Sequence, residues 1–147
     1  MVYSVGCEYG IQALITLARR VPPGDCCLLR DILDGADLPH HFVGKIFQNL
    51  VRQKILSSAK GRGGGFALCR EPEDITLRQI VQAIDGPHTQ KRCFLGFTDC
   101  DEDLPCPVHS PCSEMTKQID RLMDSTTLAQ LVSMLEDRER ANARKRR

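Results

Sequence analysis

Apolar residues recur at helical spacing in five stretches of this chain and alternate with a glycine-rich turn in a sixth. Ile11, Leu14, Ile15 and Ala18 form one face of a helix that Ser4 caps and that runs to about Arg20. Val21-Pro22-Pro23-Gly24 ends it. Leu28, Leu29, Ile32 and Leu33 predict a short second helix, broken at Gly35-Ala36-Asp37. A third begins near Pro39, a favourable first-turn residue, and runs to about Gln53 with Phe42, Val43, Ile46, Phe47, Leu50 and Val51 facing inward. Residues 55–59 and 66–69 read as strands joined by the tip Lys60-Gly61-Arg62-Gly63-Gly64-Gly65. Asp74 or Thr76 opens a fourth helix that Gly86-Pro87 stops. From Ser113 a long helix carries Met115, Ile119, Leu122 and Met123 on one face. Ser125-Thr126-Thr127 interrupts it before Leu128, Leu131, Val132 and Leu135.

Two short helices across a tight glycine turn, followed by a hairpin, predict a mainly α winged helix-turn-helix with a small β-hairpin wing. The late helix has an apolar stripe and no later element to cover it, so it reads as a long dimerisation helix. The expected organisation is a DNA-binding domain over 1–87, a cysteine-rich loop over 88–112, a dimerisation helix over 113–138 and a basic, disordered tail over 139–147. A homodimer suits DNA with two half-sites, because two-fold protein symmetry matches a pseudo-palindrome.

The net charge of +1 conceals a strong division. Residues 38–70 contain no Asp or Glu and carry Lys45, Arg52, Lys54, Lys60, Arg62 and Arg70. Such a block suits a polyanion. A helix-turn-helix offers the N-terminal part of its second helix to the major groove, which here presents His40, His41, Gly44, Lys45 and Gln48. Lys45 suits guanine O6 and N7, and Gln48 suits adenine. Lys60 and Arg62 bring charge to phosphate or the minor groove at a tip whose glycines permit close approach. The tip lacks the Gly-x4-Gly-Lys-Ser/Thr pattern of a nucleotide-phosphate loop. Double-stranded DNA is therefore the expected partner.

Hydrophobic content of 41% is ordinary for a globular domain, and no apolar run approaches the roughly 20 residues that span a bilayer. The opening MVYSVGCEYG shows no basic region followed by an apolar run. A cytoplasmic protein with reduced thiols is expected.

Thiols are the remaining distinctive chemistry. Of eight cysteines, Cys93, Cys100, Cys106 and Cys112 fall in one segment, with gaps of six, five and five residues. Zinc sites usually show tight Cys-x2-Cys pairs. Wider spacing suits a loop wrapped around a larger object, and thiolates also ligate iron–sulfur clusters. Cys26, Cys27 and Cys69 have no partners by spacing and read as small buried hydrophobes. A cysteine nucleophile needs a nearby base and an orienting group; Cys106 and His109 are close in sequence, but no such constellation is legible and no enzyme is expected.

These pieces together resemble the IscR/NsrR family of bacterial winged-helix transcription regulators, almost end to end. The matching residues are Tyr9-Gly10, Ala13-Leu14, Phe42-x3-Ile46-Phe47-x2-Leu50, Gly61-Arg62-Gly63-Gly64-Gly65-Phe66, Ile84-Asp85-Gly86-Pro87, the cysteine triplet, and Thr127-Leu128-Ala129. The resemblance implies a homodimer with an iron–sulfur cluster held by Cys93, Cys100 and Cys106. It offers Glu8, supplied by the partner subunit, as fourth ligand of a 4Fe-4S cluster, the favoured reading. His109 is the alternative, with 2Fe-2S; Cys112 and Cys7 are further candidates. Gly44 stands where the IscR branch has an acidic base-reading side chain, so a different operator is expected. The implied signal is nitric oxide, redox stress or iron and cluster supply. The rival expectation is a cluster-free regulator governed by zinc or thiol oxidation.

Overall fold

The computed structural model describes residues 3–87, 95 and 106–145. Cys93 and Cys100 lie outside the described residues. The elements follow in the order α1 (Val5–Arg20), α2 (Leu29–Ile32), α3 (His40–Arg52), β1 (Leu56–Ala59), β2 (Gly65–Leu68), α4 (Leu77–Asp85), α5 (His109–Ser125) and α6 (Leu128–Lys145), with a 3-10 turn over Pro72–Asp74. This is the mainly α winged helix-turn-helix that the pattern predicts.

One apolar core joins the elements. Leu14 and Leu17 of α1, Ile32 of α2, Val43, Phe47 and Leu50 of α3, Leu56 and Leu68 of the hairpin, and Ile80 of α4 are all buried in it. Each comes from the apolar stripe of its own element, so the helical period decides which residues meet. Phe47 meets Phe66 edge-on, with ring centroids 5.1 Å apart. The hairpin pairs Leu56 with Leu68 and Ala59 with Gly65 in antiparallel register. It gains a partial third strand: Cys27 and Phe66 exchange both backbone hydrogen bonds, each at 2.9 Å.

The helix caps explain several boundaries. Ser4 caps α1 by accepting the Cys7 N–H at 3.1 Å. Pro39 stands outside α3 as its N-cap, in extended backbone, and its carbonyl accepts the N–H groups of Phe42 and Val43. Thr76 and Gln79 form a capping box at α4. Thr127 and Gln130 exchange the same reciprocal bonds at the start of α6. The two capped starts are joined: Leu77 N–H donates to the Thr126 carbonyl and Leu128 N–H to the Ile75 carbonyl, both at 2.8 Å.

That junction sets how the last helix packs. Leu128, Leu131, Val132 and Leu135 lie against the core of their own chain, while Met115, Leu122 and Met134 within the expected dimerisation helix stay exposed. The double backbone bridge turns α6 back along α1, where Arg19 grips Glu139 with two hydrogen bonds of 2.9 and 2.7 Å. The expected disordered tail is helical as far as Lys145. α5 starts at His109, four residues before the expected Ser113. Pro111 fits there because first-turn N–H groups need no helical partner. Phe42 is also not a core residue: 45% of it is exposed, and its ring meets Tyr9 edge-on at 6.0 Å.

Candidate DNA-reading surface and thiol segment

The core fixes one side of α3, because Val43, Ile46, Phe47 and Leu50 are buried. The opposite side carries His40, His41, Lys45 and Gln48, all exposed. Gly44 does not belong to that side. It is half-buried, and a Cβ there would stand 3.3 Å from the Leu29 side chain of α2. The missing side chain at 44 therefore lets the two helices of the helix-turn-helix close together.

The wing tip places Lys60 and Arg62 in solvent, two residues apart. Its glycines are structural requirements. A Cβ at Gly64 would lie 2.4 Å from the Ala59 carbonyl oxygen, and one at Gly65 would lie 2.2 Å from that of Cys27. Gly65 also has φ +128, a region that side chains disfavour. The sequence marks this tip as a turn; the close approach of segment 24–27 is a long-range contact that local pattern does not show.

The first turn of α1 links the reading helix to the start of the cysteine segment. A Cβ on Gly6 would lie 3.2 Å from the Phe42 ring. Next to it, Cys7 is fully buried against Val81 and Met123. Burial, then the Asp85 carboxylate, then that of Glu8, push the Cys7 thiol up to about 12. Without a bound metal, Cys7 is thus held as a neutral thiol in this fold. Glu8 is half-buried on the same turn. Ser4, the cap, is tied to Asp85, and Asp85 ends α4 immediately before Gly86-Pro87.

At the other end of the segment, Cys106 is half-buried, and its carbonyl accepts the His109 N–H at 3.2 Å. His109 and Cys112 lie in the first turn of α5, not in a loop. The Cys112 N–H donates to the Val108 carbonyl and its own carbonyl accepts the Thr116 hydroxyl. Among the described residues no three of His, Cys, Asp and Glu come close enough to hold a metal, and the described cysteines are free thiols. Cys69 is exposed and Cys26 and Cys27 are half-buried, which corrects their reading as buried hydrophobes. β2 ends at buried Leu68, and Cys69, the next residue, is left in solvent.

α5 is fastened to α4 by Arg78, which bonds Asp120 at 3.0 Å and grips Asp124 through two nitrogens. Met123 is buried beneath it, whereas Met115 and Leu122 on the same helix are 58% and 59% exposed. Among the described residues, no helix is long and apolar enough to cross a membrane.

A family profile described as Rrf2, iron-dependent transcriptional regulator, matches residues 3–134. The chain belongs to the Rrf2 family. It is 29% identical to an HTH-type transcriptional regulator of Aquifex aeolicus over 138 residues, covering 92% of this chain and 94% of that one. Among solved structures it resembles CymR, the global cysteine regulator of B. subtilis, with a TM-score of 0.73, 25% identity, and coverage of 89% and 95%. It resembles T. potens IscR with a TM-score of 0.70, 26% identity, and coverage of 94% and 88%. This Rrf2 protein is thus a DNA-binding transcription regulator and not an enzyme.

Proposed function

We propose that this Rrf2 regulator works as a homodimer whose grip on a pseudo-palindromic operator is set by the thiols of the Cys93, Cys100 and Cys106 segment. The observation that carries it is where the chain enters that segment. It leaves α4 at Asp85, which is bonded to the cap of α1, and the first turn of α1 abuts Phe42 of α3. A change in the segment that shifts the end of α4 would therefore pass through the first turn of α1 to the reading helix. In this reading His40, His41, Lys45 and Gln48 enter the major groove, and Lys60 and Arg62 meet the backbone or minor groove. The exposed Met115 and Leu122, with half-buried Ile119 between them, give α5 an apolar strip for a second copy.

Two chemical forms of the switch are distinguished by specific observations. A 4Fe-4S cluster on Cys93, Cys100, Cys106 and the partner's Glu8 is supported by the donor set, by the description of the family as iron-dependent and by the likeness to IscR. His109 with 2Fe-2S is the variant of that form. Such a cluster would supply redox chemistry and reactivity toward nitric oxide. A cluster-free switch, run by thiol oxidation or zinc, is supported by the equally strong likeness to CymR, described as a global cysteine regulator. Among the described residues Glu8, Cys7, Cys106, His109 and Cys112 are not gathered into a ligand group; the cluster form would need Cys93, Cys100 and the partner's Glu8 as well.

Strictly anaerobic purification followed by iron, sulfide and zinc counts separates them. Iron and sulfide in equal amounts, lost in Cys100→Ser and Cys106→Ser proteins, establish the cluster form. Glu8→Ala then tests the fourth ligand. A colourless anaerobic protein without iron, whose DNA affinity still responds to oxidant, establishes the cluster-free form.

A further inference from the structure

The end of α6 presents a concentration of positive charge that neither the reading helix nor the wing explains. From residue 140 to 147 the sequence is Arg-Ala-Asn-Ala-Arg-Lys-Arg-Arg, with five basic residues and no acid. Residues 137–145 are exposed throughout. Arg140 has acids of its own helix nearby, Glu136 at 3.8 Å and Asp137 at 3.7 Å. Arg138, Arg144 and Lys145 have no acid within ion-pair distance among the described residues. The helix dipole favours a cation or two in the last turn. It does not call for five in eight positions.

The helix also gives this charge a fixed place. Arg19 holds Glu139 through both carboxylate oxygens, and the adjacent Arg20 reaches the carbonyl of Asp34 at 3.5 Å. Asp34 lies in the turn between α2 and α3. The basic end of α6 thus leaves the domain on the side where the helix-turn-helix turns. Thr16, Arg19 and Arg20 line a shallow depression beside it. From Glu139 the helix extends about 9 Å further, at 1.5 Å per residue.

We infer that the cationic end of α6 is a second DNA-binding surface, which grips the phosphate backbone flanking the operator without reading sequence. Charge complementarity selects the partner. DNA carries one negative charge per about 1.7 Å of axis, and guanidinium groups pair with phosphate bidentately. An anionic membrane is the other common polyanion, but stable attachment there draws on buried apolar surface as well as charge. Ala141 and Ala143 are the only apolar residues after Glu139. The inference rests on the DNA-binding reading of the family and is independent of which cofactor the thiols hold.

The test uses the full chain and an operator duplex selected by wild-type protein from a random pool, beside an unrelated duplex of equal length. Affinity for both is measured across a salt series for wild type and for a variant with Arg138, Arg144, Lys145, Arg146 and Arg147 changed to Gln. The variant is expected to lose roughly tenfold at low salt on both duplexes, with a log–log salt slope shallower by about 0.9 for each phosphate contact removed. The ratio between the duplexes should not change. Lys45→Ala, by contrast, should reduce that ratio. Arg144→Glu with Lys145→Glu provides a second variant, expected to act in the same direction with an unchanged thermal midpoint. An unaltered slope and affinity on both duplexes overturns the inference. So does a loss confined to phosphatidylserine vesicles, or one confined to the operator. Wild-type protein that held neither duplex would remove the DNA-binding reading together with the inference.

Discussion

Ser4 and Asp85 clasp each other across 81 positions of sequence. The Ser4 N–H donates to one carboxylate oxygen of Asp85 at 2.7 Å, and its hydroxyl donates to the other at 2.5 Å. The same hydroxyl oxygen accepts the Cys7 N–H. One serine therefore caps α1 and fastens it to the end of α4. Ser4→Ala removes the cap and the hydroxyl bond to Asp85, keeps the backbone N–H bond, and should lower stability by about 1–2 kcal/mol, as a lost N-cap does. Urea unfolding measures this. Asp85→Ala leaves the cap in place, so it should cost less than Ser4→Ala. A larger loss in Asp85→Ala would show that the clasp outweighs the cap.

The buried Cys7 gives an alkaline prediction. Its thiol is raised in the folded state to about 12, chiefly by burial and further by Asp85 and Glu8. A group whose folded pKa is raised stabilises the fold below its unfolded pKa and loses that contribution as pH rises. Stability should therefore fall from about pH 9, where an unfolded thiol ionises, toward pH 12. In Cys7→Ala this part of the pH dependence should vanish. Alkylation at neutral pH should reach Cys69, which is exposed, well before Cys7. Mass spectrometry of the native protein after a short alkylation pulse reads the order.

Acid should loosen α5 and α6. The Arg78 guanidinium holds the Asp124 carboxyl below its usual range, and the Arg19 guanidinium does the same for Glu139. Groups with depressed pKa contribute above their unfolded pKa and lose the contribution as pH falls through the folded value. Both clamps therefore persist at neutral pH and release below the ordinary carboxylate range. Both acids are exposed, so the effect on overall stability is small and should fade with salt. Hydrogen exchange should show α5 and α6 opening before α1 as pH is lowered. Arg78→Ala should produce the same early opening of α5 at neutral pH.

The wing depends on bare backbone at Gly65. Gly65→Ala combines a disfavoured φ with a collision against the Cys27 carbonyl, which must move. A cost of about 1–3 kcal/mol follows from strain of this kind. The Cys27–Phe66 hydrogen bonds should weaken, seen as faster amide exchange at those two positions, and DNA affinity should fall with them.

Much of this architecture is legible along the chain because it is local. Ser4, Thr76 and the stripes of α1 and α3 announce their helices through caps and period. Thr127-x-x-Gln130 is an equally readable capping box and marks the start of α6. What local pattern does not contain is the neighbour that covers a stripe. Leu131 and Leu135 look the same in sequence whatever covers them; the Ile75–Leu128 backbone bridge, a long-range contact, is what lays them against the core of their own chain. Phe42 illustrates the converse. An aromatic residue in a helical pattern reads as core, yet Gly6 and Tyr9 seat its ring at the margin of the helix pair, half in solvent. The thiol segment was legible as chemistry, by residue type and spacing. Its geometry at Cys93 and Cys100 lies outside the described residues.

Thiol control of operator affinity is the central claim, and one titration tests it most directly. Wild-type protein and a Cys93→Ser, Cys100→Ser, Cys106→Ser variant are each titrated onto a selected operator duplex, prepared under strict anoxia and again after brief exposure to an oxidant. The account predicts that wild-type affinity changes at least about tenfold between the two states, a difference of about 1.4 kcal/mol, and that the variant binds equally in both. Wild-type protein whose affinity was the same in the two states, or a variant that still switched, would contradict it.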